Sequence, residues 1–353
     1  MSGISSGGAS RDGYGKGLLR LAEDPRVVVL EADLGKSTKS HHFREKFPER
    51  TVSLGIAEQN MMIVAAGMAS SGKIPYASTF AIFTERAFEQ IRNGIARAGL
   101  NVHICGSHGG IHTGSDGSSA QSIEDLGIYR TIPNMTVIHP CDDLSAEELT
   151  VLTKDLDTPS YMRTVRNKVP RVYTAKEASN LEIGKGSVIR KGSDVAIIAC
   201  GIMVGIANEA SKILESEGIS AFVVDMHTLK PLDNELLSEL GKICGCFVTA
   251  EDHSVIGGLG SAVSEWSSEE CPLPIEKIGV NEKKLIDNLF DTMYNSNGIG
   301  LAAVQVGILK RVLVVDVSNK DEKNQPIVLI NPVIKNLSSE KSIYEEGCLS
   351  IPE

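Results

Sequence analysis

The sequence predicts an α/β protein: two domains, each built on a parallel sheet, followed by an incomplete α+β tail. Three observations carry this. Short β-branched runs alternate with helical apolar periods through most of the 353 residues, the rhythm that builds a parallel sheet with helices on both faces. A polar stretch with Pro and Gly, "KVPRVYTAKEASNLEIGKG", interrupts that rhythm once and reads as a linker. Near Asn281 the rhythm gives way to an amphipathic helix and two strands around a charged turn. The expected divisions are 1–168, a linker at 169–186, 187–282 and a tail at 283–353.

Each element follows in order. "RVVVLEADL" is a strand, "AEQNMMIVAAGMASSG" a helix closing on Gly, "IPYASTF" a strand, "TERAFEQIRNGIARAG" a helix, and "NVHICGSHGG" a strand entering a Gly-rich loop. The second series is "SDVAIIACG", the helix "ANEASKILESEG", "ISAFVVDM", the helix "NELLSELGKIC", "CFVTAEDH", the helical "GGLGSAVSEWSSE" and the strand "PIEKIGV". In the tail, "EKKLIDNLFDTMYNSNG" is helical, and "RVLVVDV" and "PIVLINPVI" are strands. Functional loops belong at the carboxyl ends of the parallel strands.

Composition narrows the function classes. With 42% hydrophobic and 23% charged residues the chain is ordinary soluble globular protein. A formal charge of −10 argues against a broad nucleic-acid or anionic-lipid surface, leaving room only for a local basic pocket. The opening "MSGISSGGASRDGYG" has no apolar segment and reads as neither signal peptide nor anchor. The longest apolar run, "VIRKGSDVAIIACGIMVGIA", is broken by charge, so no membrane span is expected. Seven cysteines without a spacing framework fit a reducing cytoplasm, and the lone pair Cys244 and Cys246 reads as buried strand chemistry.

Among candidate functional residues, Glu58 opens an apolar helix directly after a strand and a Gly. Local sequence leaves it either capping that helix or holding a partner. Phe80 and Phe83 in "TFAIF" are core packing or an aromatic wall. Taken singly, Arg11, Ser37, His108, Asp116 and Arg166 are ordinary polar side chains.

Several long motifs in order place those residues in one frame. "CGSHGGIHTGSDGSSAQSIEDLGIYRTIPN", "RTVRN", "DMHTLKPLD" and "EDHSVIGGLGSAV" resemble the transketolase family over about residues 8–280, within its pyrimidine-binding and C-terminal domains. The resemblance implies thiamine diphosphate chemistry, in which the cofactor stabilises the carbanion and the protein positions it. Glu58 matches the glutamate that hydrogen-bonds the aminopyrimidine ring nitrogen and favours its imino form, a catalytic as well as a cofactor-binding role. Phe80 and Phe83 match the wall against which the pyrimidine packs, and Asp33 lies in the matching "ADL" turn near the cofactor. Arg11, Ser37, His108 and Arg166 correspond to phosphate-end contacts, with His108 also a catalytic candidate, and Asp116 to a residue that binds a substrate hydroxyl. One position departs from the family: Ala120 stands where His or Gln is usual, with Gln121 beside it.

The family's magnesium-binding Gly-Asp-Gly occurs nowhere in the sequence. Mg²⁺ needs hard oxygen ligands, so the resemblance implies the C-terminal subunit of a split transketolase. Its partner, an N-terminal subunit, would hold the diphosphate and Mg²⁺, with a dimer of heterodimers as the natural assembly and phosphorylated sugars as substrates. 1-Deoxyxylulose-5-phosphate synthase-like and 2-oxoacid dehydrogenase E1β-like subunits are the runners-up, and a catalytically inactive chimera is the non-enzymatic alternative.

The tail has a different resemblance. "NGIGLAAVQVG" and "EEGCLS" are similar to two signatures of peptide deformylase, and Leu285 to Glu353 follows that family's course. Gln305 would match its formyl-binding Gln and Cys348 its thiolate metal ligand. The third signature, His-Glu-x-x-His, is absent, because every histidine lies at or before His253. Cys348 is therefore an orphan ligand: one thiolate cannot supply the three protein ligands of a catalytic site, and deformylase activity is not expected. Both family courses are cut at the seam, which reads as a chimera rather than a working fusion.

Overall fold

The computed structural model describes residues 7–117, 119–296, 298–306, 308, 310–317 and 326–333, and forms two compact units, Met1–Val280 and Asn281–Glu353. The first unit contains two parallel-dominated sheets. Strands β1 (Val27–Glu31), β2 (Thr51–Ser53), β3 (Ile74–Phe80), β4 (His103–Ser107), β5 (Thr136–Ile138) and β6 (Ser160–Thr164) come from its first half. The second half supplies β7 (Ser187–Arg190), β8 (Val195–Ala199), β9 (Ala221–Asp225), β10 (Thr228–Lys230), β11 (Phe247–Ser254) and β12 (Ile275–Val280). The larger sheet runs β10-β5-β6-β4-β3-β1-β2, and the smaller runs β12-β11-β8-β9-β7.

The central strands read as near-continuous apolar runs because helices cover both faces. Along β1, Val27 and Val29 enter one core cluster with Leu18, Phe43 and Tyr76, whereas Val28 and Leu30 enter another with Met61, Met62 and Ile91. That is the two-residue alternation of a strand, with both faces dry. Burying one such Val or Leu stabilises the fold by roughly 1.5–3 kcal/mol.

Three features depart from the sequence expectation. Each sheet has an antiparallel edge: β10 pairs with β5, and β7 with β9. The strand β10 starts three residues after β9 ends, so the chain passes from the smaller sheet into the larger one, and His139 N donates to His227 O at 2.8 Å. The helix expected over "TERAFEQIRNGIARAG" is an α-helix only at Ala81–Arg86; Gln90–Ala96 is π-helical, with Arg97 N donating to Arg92 O. Third, the segment read as a linker is packed. Val172 N and Tyr173 N both donate to Asp142 Oδ2 at 2.9 Å, and the Tyr173 hydroxyl donates to Asp225 Oδ2 at 2.8 Å. Its polar residues bind neighbours, which polarity alone cannot distinguish from binding water.

In the second unit, the helix Glu282–Asn295 precedes an antiparallel sheet of β13 (Gly300–Ala302), β14 (Val312–Val315) and β15 (Ile327–Ile330). Leu289, Met293, Leu301, Ala303 and Val314 form its small buried cluster. Ala302 N donates to Gln305 Oε1 at 2.8 Å. Cys348 lies outside the described residues. Among the described residues no helix is long and apolar enough to cross a membrane.

Candidate active site

Five adjacent strands of the larger sheet bring most of the sequence-predicted residues to one edge. In the order β6, β4, β3, β1, β2, their carboxyl ends lead to Arg166, His108, Phe80, Asp33 and Glu58. Arg166 lies two residues past β6 and His108 directly after β4, while Phe80 is the last residue of β3. Asp33 follows β1 by two residues, and Glu58 opens the helix Glu58–Ser70 after β2.

At one end of this row the charged groups touch. Arg11, in the first turn of the helix Ser10–Leu21, donates from Nη1 to Ser37 O at 3.0 Å and to His108 Nε2 at 3.4 Å. A guanidinium has no acceptor, so His108 Nε2 carries the lone pair and its proton sits on Nδ1, donated to Ser107 Oγ at 2.9 Å. Burial, with Arg11 and Arg166 adding to it, pushes the His108 imidazole down to about 3. It is neutral at pH 7, and its 3.8 Å approach to Asp116 Oδ2 is a dipolar contact rather than an ion pair. The ion pair at Asp116 is with Arg166, Nη1 to Oδ1 at 3.3 Å. His108 is also one of few non-glycine residues at positive φ, 65°, a conformation held here by the Thr113 hydroxyl donating to its carbonyl at 2.6 Å.

Aromatic rings continue the row. His108 stacks on Phe80 with centroids 4.0 Å apart, and Phe80 stacks on Phe83 at 5.5 Å with planes 12° apart. The Arg86 guanidinium lies 5.6 Å from the Phe83 ring centroid and donates to Glu58 Oε2 at 3.2 Å. Glu58 is 2% exposed. Of the two local readings, its side chain takes a partner across the fold, Arg86, while also standing in a first helical turn, where negative charge is favoured.

Asp33, at φ 61°, lines a separate cavity of about 270 Å³ with Glu31, Lys36, Ser37 and Arg44. Glu31 is buried at the end of β1 and paired with Arg44. Asp33 thus shares that wall with Ser37, whose carbonyl accepts from Arg11. Ala120 is buried, and Gln121 Nε2 donates to Ile111 O and Gly114 O, both at 3.4 Å, which turns Gln121 onto its own loop.

Sequence reasoning missed the support beneath the row. Arg163 and Asp125, both fully buried, form a forked pair, and Arg163 Nη1 donates to Asp252 O at 2.6 Å. The Asp252 carboxylate accepts from Ile111 N at 3.0 Å and His112 N at 3.2 Å, holding the loop that carries Asp116. Arg86 was missed as well. Its i+3 spacing from Phe83 on one helix was the available signal.

A dry carboxylate, a stacked aromatic pair and a cationic end thus line one edge of a parallel-dominated sheet, in a domain of the thiamine-diphosphate type. The family models agree: residues 9–171 match the transketolase pyrimidine-binding domain, 184–288 the transketolase C-terminal domain, and 267–353 polypeptide deformylase. The chain belongs to the transketolase family. It is 43% identical over 285 residues to a Methanocaldococcus jannaschii protein described as a transketolase C-terminal section, covering 80% of this chain and 89% of that one. It is 41% identical to a 6-deoxy-6-sulfo-D-fructose transketolase subunit of a Clostridium species, over 77% of this chain and 84% of the relative. Human transketolase is 35% identical, with 77% of this chain matching 44% of that protein. Among solved structures, a split-gene transketolase described as an inactive β4 tetramer superposes with TM-score 0.73 at 50% identity, over 78% of this chain and 90% of that one.

Proposed function

We propose that this chain is the C-terminal subunit of a split transketolase, transferring a two-carbon ketol unit between phosphorylated sugars with thiamine diphosphate and Mg²⁺ held jointly with an N-terminal partner subunit. The observation that carries the reading is the unbroken line of contacts from Glu58 through Arg86, Phe83, Phe80 and His108 to Arg11.

The residues present fit half of that cofactor. A buried carboxylate whose Oε2 is engaged by a half-exposed arginine suits a ring nitrogen, and two nearly parallel phenyl rings suit a flat heterocycle. When bound, the cofactor supplies the carbanion stabilisation that no protein side chain offers. This chain's part is to seat and orient. Glu58 holds the heterocycle once Arg86 swings off, Phe80 and Phe83 pack its face, and Asp33 faces the cofactor side. Arg11, Ser37, His108 and Arg166 take the sugar phosphate, with Asp116 on a hydroxyl. A phosphate dianion beside His108 reverses the charge balance that keeps its ring neutral, so the ring can then donate from Nε2. The partner supplies the diphosphate and Mg²⁺ ligands, in keeping with the missing Gly-Asp-Gly. The six described cysteines are free thiols, as the cytoplasm favours.

The test mixes this chain with a partner bearing Gly-Asp-Gly, thiamine diphosphate and Mg²⁺, and follows ketol transfer from a ketose phosphate to an aldose phosphate. Turnover is expected only in the mixture, and Glu58→Ala should lower it by about 100-fold or more. Full activity in assembled Glu58→Ala overturns the assignment, and turnover by the isolated chain overturns the shared site.

A further inference from the structure

Beside the candidate active site, and distinct from it, three side chains converge on the short helix His41–Lys46. His41, His42 and Glu45 each offer one donor atom, and those atoms lie within 4.8 Å of one another. We propose that this cluster binds a divalent transition ion of the zinc class, in a site that clamps the helix to the preceding loop.

Two features make this more than neighbouring solvated histidines. His41 Nδ1 lies 3.2 Å from Gly35 O, and a carbonyl can only accept. The ring proton is therefore on Nδ1, and Nε2 presents its lone pair, the carbonyl-to-imidazole arrangement that orients metal-ligating histidines. The His42 ring is held from the other side: a Cβ added at Gly15 would stand 3.3 Å from His42 Cδ2, so the helix Ser10–Leu21 packs closely on that ring. The two imidazoles lie 4.0 Å apart, centroid to centroid. The nearby ammonium of Lys39 is occupied by Asp12 at 3.3 Å.

The donor set selects the ion. Two imidazoles and one carboxylate suit Zn²⁺, Ni²⁺ or Co²⁺, whereas Mg²⁺ and Ca²⁺ favour oxygen shells. Glu45 is exposed and both histidines are half-exposed, so water completes the coordination. Because His41 is tied to Gly35, two residues before Ser37, and Ser37 O accepts from Arg11, the ion stiffens the loop beside the cationic end of the row. Its role is to hold that loop; it takes no part in ketol transfer.

The experiment is isothermal titration of ZnCl₂ into the full chain, repeated on Glu45→Gln, His42→Ala and His41→Ala/His42→Ala, with circular dichroism confirming that each is folded. The exposed Glu45→Gln keeps the test valid if a histidine variant fails to fold. Wild type should bind zinc with a Kd in the micromolar range, unaffected by excess Mg²⁺, and the histidine variants should lose about 10-fold to 100-fold in affinity. Hydrogen exchange should slow over residues 34–46 when zinc is added. Unchanged zinc affinity in the double variant, which puts the ion elsewhere, or no uptake by wild type below about 100 μM, overturns the proposal.

Discussion

Replacing Arg163 by Met tests whether the buried ion pair positions the loop of the candidate site. Arg163 is fully buried and makes four hydrogen bonds: to Asp125 Oδ2 at 3.0 Å, Asp125 Oδ1 at 2.6 Å, Ser122 O at 2.7 Å and Asp252 O at 2.6 Å. Methionine fills similar space but leaves the Asp125 carboxylate in a dry site with the Tyr161 hydroxyl, which donates at 2.6 Å, as its remaining side-chain hydrogen-bond donor among the described residues. Removing one partner of such a pair costs about 3–5 kcal/mol. In a unit spanning Met1–Val280, each kcal/mol lowers the melting temperature by about 2 °C, so a drop of about 6–10 °C is expected at pH 8. The pH dependence is the sharper readout. Burial drives the Asp125 carboxyl upward, but Arg163, His253 and Tyr161 overcome it and hold it below its ordinary value. A depressed carboxyl contributes stability above its unfolded pKa and loses it as pH falls through the folded one. With Arg163 gone, burial wins and the carboxyl accepts a proton on mild acidification, so Arg163→Met should be less damaging at pH 5 than at pH 8. Thermal melts at the two pH values check this, and hydrogen exchange at Ile111 and His112 checks the loop. A variant melting within about 2 °C of wild type at pH 8, or one equally damaged at both pH values, refutes the argument.

Asp225 gives the opposite pH sign. Burial pushes it up to about 7, so its contribution is in place at low pH and is lost as pH rises toward that value; Asp225→Asn should gain on wild type by about 1.4 kcal/mol per pH unit between about 4 and 7 and level off above, measured by urea denaturation at pH 5 and pH 8. Equal differences at both pH values would remove Asp225 as the responsible group. Gly110→Ala should loosen the Asp252 clasp, because Gly110 has φ 82° and an added Cβ would meet Asp252 Oδ2 at 2.0 Å; the expected outcome is weaker inorganic phosphate binding and a loss of about 1–3 kcal/mol in stability. Unaltered phosphate binding in a folded Gly110→Ala chain counts against the loop's role. The His108 ring should stay neutral with its proton on Nδ1 down to pH 5 in the free chain, and inorganic phosphate should raise its pKa. Nitrogen-15 NMR reads both, and titration near 6.5 without phosphate would contradict the burial argument.

The fold was legible where periodicity and burial coincide. "IPYASTF" is β3 residue for residue, and the second series of strands and helices falls where the apolar runs placed it. What escaped depends on distant partners. The strand β10 carries no period of its own in "HTLKP" and is a strand because β5 stands beside it. The packed "KVPRVY" segment looks polar because its amides and arginine meet Asp142 and Asp143, some thirty residues earlier in the chain. For the site, residue types pointed to Glu58, the Phe pair and the cationic group only as options, and the family frame joined them. Arg163, Asp125 and Asp252 were invisible because a buried ion pair has no local signature: each member sits in its own element, and the pair exists only after the sheet has formed.

On the proposed reading, the order of strands explains why such different groups line one substrate. Parallel strands lie about 4.8 Å apart, and each delivers its loop to the same edge. From β6 to β2 there are four such steps, roughly 19 Å. That length is enough to set the cationic pair of Arg11 and Arg166 at one end and the buried carboxylate at the other, with the aromatic rings between them. The separation has an electrostatic use. Burial, with Arg11 and Arg166 adding to it, keeps His108 neutral at the phosphate end, while Glu58 is buried at the other, where Arg86 reaches it from a half-exposed position. The sequence order of the strands does not run along the edge, β6 lying next to β4 and β3 next to β1, so this polarity is a property of the topology and cannot be read from spacing along the chain.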